Sequence, residues 1–132
     1  MNLKNKKGSA LVEMAIILPV LFLIVFGIFE FGRAMYITNT LNNAARYGAR
    51  LAVVSTQPLN TASLITEIKN HTSLSTTDLD LLEIIISPYP TSSGTVINVT
   101  AAIPFSPITP YMQEFFPSGY KLKGEASMRY EL

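Results

Sequence analysis

Three patterns follow one another along the chain. Residues 9–29 form an apolar run whose only charge is Glu13, and residues 14–29 hold sixteen positions without a charge. As a helix, that 21-residue stretch rises about 1.5 Å per residue, roughly 31 Å, the thickness of a bilayer's hydrocarbon core. The second pattern begins at Glu30. Phe31, Met35, Leu41, Ala45 and Ala49 recur at roughly helical spacing, and Ala44, Gly48 and Ala52 form a small-residue row at i, i+4, i+8. The spacing predicts that the same helix continues to about residue 54, before Thr56-Gln57-Pro58 breaks it. A helix over 9–54 would be a rod of about 70 Å. The small-residue row permits close backbone approach, either to the chain's own sheet or to a neighbouring subunit.

The third pattern has a period of two. Leu82, Ile84 and Ile86 alternate with Glu83, Ile85 and Ser87; Ile97, Val99, Ala101 and Ile103 share one face of the next apolar run. Tyr120, Leu122, Gly124, Ala126, Met128, Tyr130 and Leu132 alternate with Lys121, Lys123, Glu125, Ser127, Arg129 and Glu131, the signature of a half-buried antiparallel strand. A seven-residue turn over 88–94 joins the first two strands. Before them, Leu64, Ile65 and Ile68 predict a short amphipathic helix over 61–71, and residues 73–80 look polar and loop-like. Between the last two strands, residues 104–117 hold four prolines and four aromatics; Thr109 can cap a short helix with Pro110 first. That stretch suits either a loop closing the end of a small core or a semi-rigid partner-binding loop. Three strands need a covering element, and the second half of the long helix supplies one. The expected fold is α+β, a long N-terminal helix on a small antiparallel sheet of about three strands. Its divisions are a leader (1–8), a transmembrane helix (9–29), an extracytoplasmic continuation (30–54) and a small domain (55–132).

Composition narrows the chemistry. The 132 residues include no cysteine and one histidine, His71, and the net charge is +1. These facts argue against a disulfide scaffold, a thiolate metal site and a nucleic-acid footprint. No convergent nucleophile, acid–base pair or metal set is apparent, so no enzyme activity, cofactor or metal is expected. Lys4, Lys6 and Lys7 precede the apolar segment, whereas only Arg33 is basic in the fifteen residues after it. The positive-inside bias puts the N-terminus in the cytoplasm and Arg33 onward outside a cytoplasmic membrane. The segment is longer than a usual signal h-region, and no small-x-small cleavage site directly follows it.

Glu13 is the anomaly. A carboxylate at the end of a bilayer-spanning helix costs up to a few kcal/mol unless it snorkels or finds a cation. A cut between Gly8 and Ser9 would create such a cation, an α-amine of reference pKa about 7.7–8.0. Glu13 would then be the fifth residue, placed to meet the new amine of a staggered neighbour. Pro19 lies six residues further on, removes the bond to the Ala15 carbonyl and is expected to kink the helix or let it melt locally. Glu30 and Arg33 form an i,i+3 pair expected to be solvated or interfacial, and Arg46 and Arg50 a solvated face.

The run Lys7-Gly8-Ser9-Ala10-Leu11-Val12-Glu13-Met14 resembles a type IV prepilin cleavage site. With Pro19, the Glu30-Phe31-Gly32-Arg33 exit and Ala44-Ala45-Arg46-Tyr47-Gly48-Ala49-Arg50, it is similar to the TadE-like pseudopilins of Tad (Flp-type) pilus systems. The resemblance covers about residues 8–50. Major Flp pilins are shorter and carry Tyr after the Glu; Met14 here, and the domain that follows, point to a minor pseudopilin. The resemblance implies cleavage after Gly8 by a membrane aspartyl prepilin peptidase, with Glu13 serving subunit assembly. Losing the three leader lysines takes the formal charge from +1 to −2. Implied partners are other minor pseudopilins, the major Flp pilin and the inner-membrane assembly platform; pilus adhesion and secretion are the associated processes. The alternative is a permanently anchored extracytoplasmic binding or envelope protein, which needs neither cleavage nor Glu13.

Overall fold

The computed structural model describes residues 3–54, 61–88, 93–114 and 116–130, with backbone alone at 3–7 and 111. Its first element is one helix, α1 (Leu3–Val54), of 52 residues. It starts six residues before the expected position, through the leader, and stops where expected. It is continuous across Pro19, with no melted turn there.

Two short helices follow, α2 (Thr61–Asn70) and α3 (Thr76–Asp80). The second corrects the expectation of a loop over 73–80. Ser75 stands at its N-cap in extended conformation, the Leu79 amide donates to the Ser75 carbonyl at 2.9 Å, and Asp78 lies in the first turn, where the helix dipole favours an acid. The strands β1 (Glu83–Ser87), β2 (Val96–Pro104) and β3 (Lys121–Arg129) form an antiparallel sheet in the order β1-β2-β3. Ile86 pairs with Val99 and Ala101 with Gly124, so the alternating apolar positions fall on one face. The helix α4 (Pro110–Gln113) lies in the β2–β3 connection. The expected 88–94 turn falls largely outside the described residues, as do Glu131 and Leu132.

The core lies between that face and the second half of α1. Ile97, Val99, Ala101 and Ile103 of β2 are buried against Ile37, Leu41, Ala45 and Ala49, with Leu64 and Ile68 of α2 closing one side. Two glycines set the spacing. A Cβ at Gly124 would lie 2.3 Å from the Asn42 amide nitrogen and the Leu41 carbonyl carbon, so the β3 backbone rests directly on the α1 backbone. A Cβ at Gly48 would meet the Ile68 Cδ1 at 2.6 Å. The row Ala44, Gly48 and Ala52 is buried within this domain, packing on the chain's own elements. The predicted stripe is corrected at its start. Phe31 and Met35 are exposed, and Ile37 is the first fully committed core residue of α1.

Candidate functional site

Two features of α1 bear on function. The first is its leading half. Every residue from Gly8 to Phe26 is exposed, and the 18-residue window most suited to crossing a membrane has none of its residues buried. One helix is therefore long and apolar enough to span a bilayer. Within this surface Ser9 and Glu13 stand one turn apart, and the Ser9 hydroxyl donates to the Glu13 carboxylate at a long 3.5 Å. Among the described residues no salt bridge reaches Glu13. Gly8 has nothing within 4 Å of where a side chain would begin. Met14 is also exposed, and Pro19 lies on the same uncovered half. Lys4, Lys6 and Lys7 stand in the first turns of α1, with side chains outside the described set. The structure thus brings Ser9 and Glu13 together on one turn, with Gly8 and Met14 exposed at either side along the helix, while Ala44, Gly48 and Ala52 belong to the core.

The second feature was not foreseen from sequence. Glu30, expected to form a solvated or interfacial pair with Arg33, is only 6% exposed. Its Oε1 accepts the Ile108 amide at 2.5 Å, the Thr109 amide at 2.9 Å and the Thr109 hydroxyl at 2.9 Å. Arg33 donates to Oε2 at 3.4 Å and reaches the Ser106 carbonyl, while its guanidinium lies 4.5 Å above the Phe105 ring. Loss of hydration on burial pushes the Glu30 pKa up. The Thr109 and Ile108 hydrogen bonds, with the Arg33 charge, outweigh it and leave the carboxyl below its ordinary value. Thr109 occupies the N-cap position of α4 with Pro110 behind it, as expected, but its hydroxyl caps nothing; it goes to Glu30 instead.

The 104–117 connection therefore does two things. Phe105 is buried and meets Phe116 edge-on at 5.5 Å, closing the end of the core. Its tip, 106–109, is clamped to α1 at Glu30 and Arg33. A cavity of about 620 Å³ opens below that clamp, between Leu18, Phe22 and Phe26 of α1 and Thr109 and Met112 of the tip. Its lining is apolar and offers no acid–base pair. Arg46 and Arg50 are exposed as expected; His71 is exposed and stacks on Tyr47 at 4.2 Å.

The exposed apolar half of α1, with Glu13 near its start, runs without a break into the helix that packs on the sheet. Residues 8–50 match the family model described as TadE-like protein. Over that segment, about a third of its length, the chain is similar to TadE-like proteins. The match runs from the Gly8-Ser9 bond through Glu13 and Glu30 to Arg50. It stops before α2, so the sheet lies outside it. No curated protein and no solved structure matches the chain.

Proposed function

We propose that the chain is a minor pseudopilin of a Tad/Flp-type pilus, a non-catalytic subunit that primes the fibre or enters it. It sits in the cytoplasmic membrane with its N-terminus inside and its domain outside. A prepilin peptidase cuts after Gly8, and the mature helix then packs with other minor pseudopilins, the major pilin and the assembly platform. One observation carries this: an exposed apolar half-helix holds a single carboxylate, Glu13, at the fifth position after the Gly8-Ser9 bond.

Physical chemistry links the parts. The bond to be cut lies inside a regular helix. A peptidase needs that stretch unwound, and glycine weakens a helix interior by roughly 1 kcal/mol relative to alanine. Gly8 therefore lowers the cost of opening α1 there, and its bare backbone can enter a narrow cleft. After cleavage Ser9 carries a cation that Glu13 of an adjoining helix can neutralise away from water. Each unpaired partner would be penalised in that setting, so subunits are held in a fixed stagger.

Mass spectrometry of the full chain extracted from membranes tests the cut. A mature N-terminus at Ser9 is expected; an intact Lys4–Lys7 stretch would indicate a static anchor. Piliation tests the pairing. E13L and E13Q are expected to abolish or strongly reduce pili while leaving domain unfolding unchanged. Wild-type pilus numbers with either variant would overturn the assembly role.

A further inference from the structure

We propose that the tip of the β2–β3 connection, residues 106–112, is a second membrane contact: a wedge in the outer leaflet beside the spanning helix. The proposal rests on the membrane placement proposed above.

Depth is the first ground. A Cβ at Gly27 would lie 3.5 Å from the Met112 Cε. Gly27 is three residues, about 4.5 Å of helix rise, on the membrane side of Glu30. Thr109 and Met112 line a cavity with Phe22 and Phe26, deeper still. A helix that spans the bilayer over 9–29 therefore carries this tip into the headgroup and upper acyl region, the depth of interfacial segments.

Polarity is the second and independent ground. Residues 104–113 contain no charge, and Ile108 is 76% exposed at the tip. An irregular backbone cannot sit in lipid unless its polar groups are satisfied by protein. Here they largely are. Pro104, Pro107 and Pro110 have no amide hydrogen to satisfy. The Ile108 and Thr109 amides and the Thr109 hydroxyl go to Glu30, and the Phe105 amide goes to the Tyr120 carbonyl at 2.8 Å. The Ser106 carbonyl is held by Arg33, that of Pro107 by the Gln113 side chain at 3.2 Å, and that of Thr109 by the Met112 amide at 3.0 Å. A loop destined for water has no need of this internal pairing. Glu30 thus has a positioning role: its carboxylate faces the loop's donors and not the lipid, and it holds Ile108 outward.

The chain has no cysteine, so single labels are clean. The full chain, as I108C, L23C or I85C bearing an environment-sensitive fluorophore, is reconstituted in phosphatidylethanolamine–phosphatidylglycerol vesicles. Ile85 is exposed on β1 and serves as the aqueous reference. The expected result is blue-shifted emission at 108, loss of iodide quenching and gain of quenching by a nitroxide near the top of the acyl chains, as at 23 and unlike 85. Iodide quenching at 108 equal to that at 85, with 23 still quenched from the lipid, would overturn the wedge alone. Position 23 open to iodide would overturn the spanning helix and the wedge with it. Shielding of 108 from both quenchers would put protein over the tip and also overturn the wedge.

Discussion

The two halves of α1 are chemically opposite although one helix contains both. Residues 9–29 are apolar but for Ser9 and Glu13 and meet their own chain only at the tip of the β2–β3 connection; residues 34–52 are mixed in polarity and half enclosed by the sheet and α2. The leading half is hydrophobic all round, which suits a helix whose surroundings are supplied from outside, by lipid or by other helices. The trailing half spends its small residues on closeness, with Ala45 and Ala49 fully buried and Gly124 of β3 laid on its backbone. Small residues therefore stabilise the domain, and in the proposed function Glu13 serves encounters between chains. A mutation in either half should report on only one of these tasks.

The sharpest way to break that separation lies at Gly124. G124A places a Cβ against the backbone of Leu41 and Asn42, which cannot yield as a side-chain tip would. Unfolding followed by circular dichroism should show a loss of about 3 kcal/mol or more. A stable G124A domain would mean that α1 does not rest on β3 as described.

Next in size is the clamp at the junction of the halves. E30A leaves the Ile108 and Thr109 donors without their acceptor and should cost about 3 kcal/mol. E30Q should cost less, because it keeps one acceptor oxygen. The pH dependence has a definite sign. The folded carboxyl titrates below its ordinary value, so the folded state binds fewer protons than the unfolded one in that range. Its contribution is complete above the unfolded Glu pKa of about 4.3 and is lost as pH falls through the lower folded value. Comparison of thermal unfolding at neutral and acid pH should show this slope in the native chain and a shallower one in E30Q.

The smallest effect belongs to the surface. Lys121 donates to Glu83 at 2.7 Å, but both side chains are well exposed. K121A should change stability by no more than about 0.5 kcal/mol, and less in high salt. A larger loss, seen in the same unfolding experiment, would show that β3 is held by its edges more than by α1.

What the sequence made legible follows the range of the forces involved. The end of α1, the three strands and their inward faces were visible because periodicity is local and burial enforces it along each element. The α3 helix was hidden because five residues carry too little periodicity to separate a helix from a polar loop. The α1 stripe was misread at its start because exposed Phe31 and Met35 are as hydrophobic as core residues; only the position of the sheet selects Ile37. Glu30 was misjudged for a related reason. Its neighbour in sequence, Arg33, suggested a surface pair, whereas the donors that hold it are 78 and 79 residues away. A carboxylate ending an apolar run, together with a distant proline-rich stretch free of charge, was the available hint, and neither names the other.

The unbroken passage of α1 from one half to the other has a mechanical consequence. With α1 helical straight through residues 29 and 30, the domain turns and tilts as one lever with the apolar shaft. One residue inserted there would swing the sheet by about 100° around the shaft relative to Glu13. A piston stroke or twist applied to α1 beyond Pro19 is therefore carried along the rod to the sheet, and the angular bearing of the domain is encoded in a count of residues.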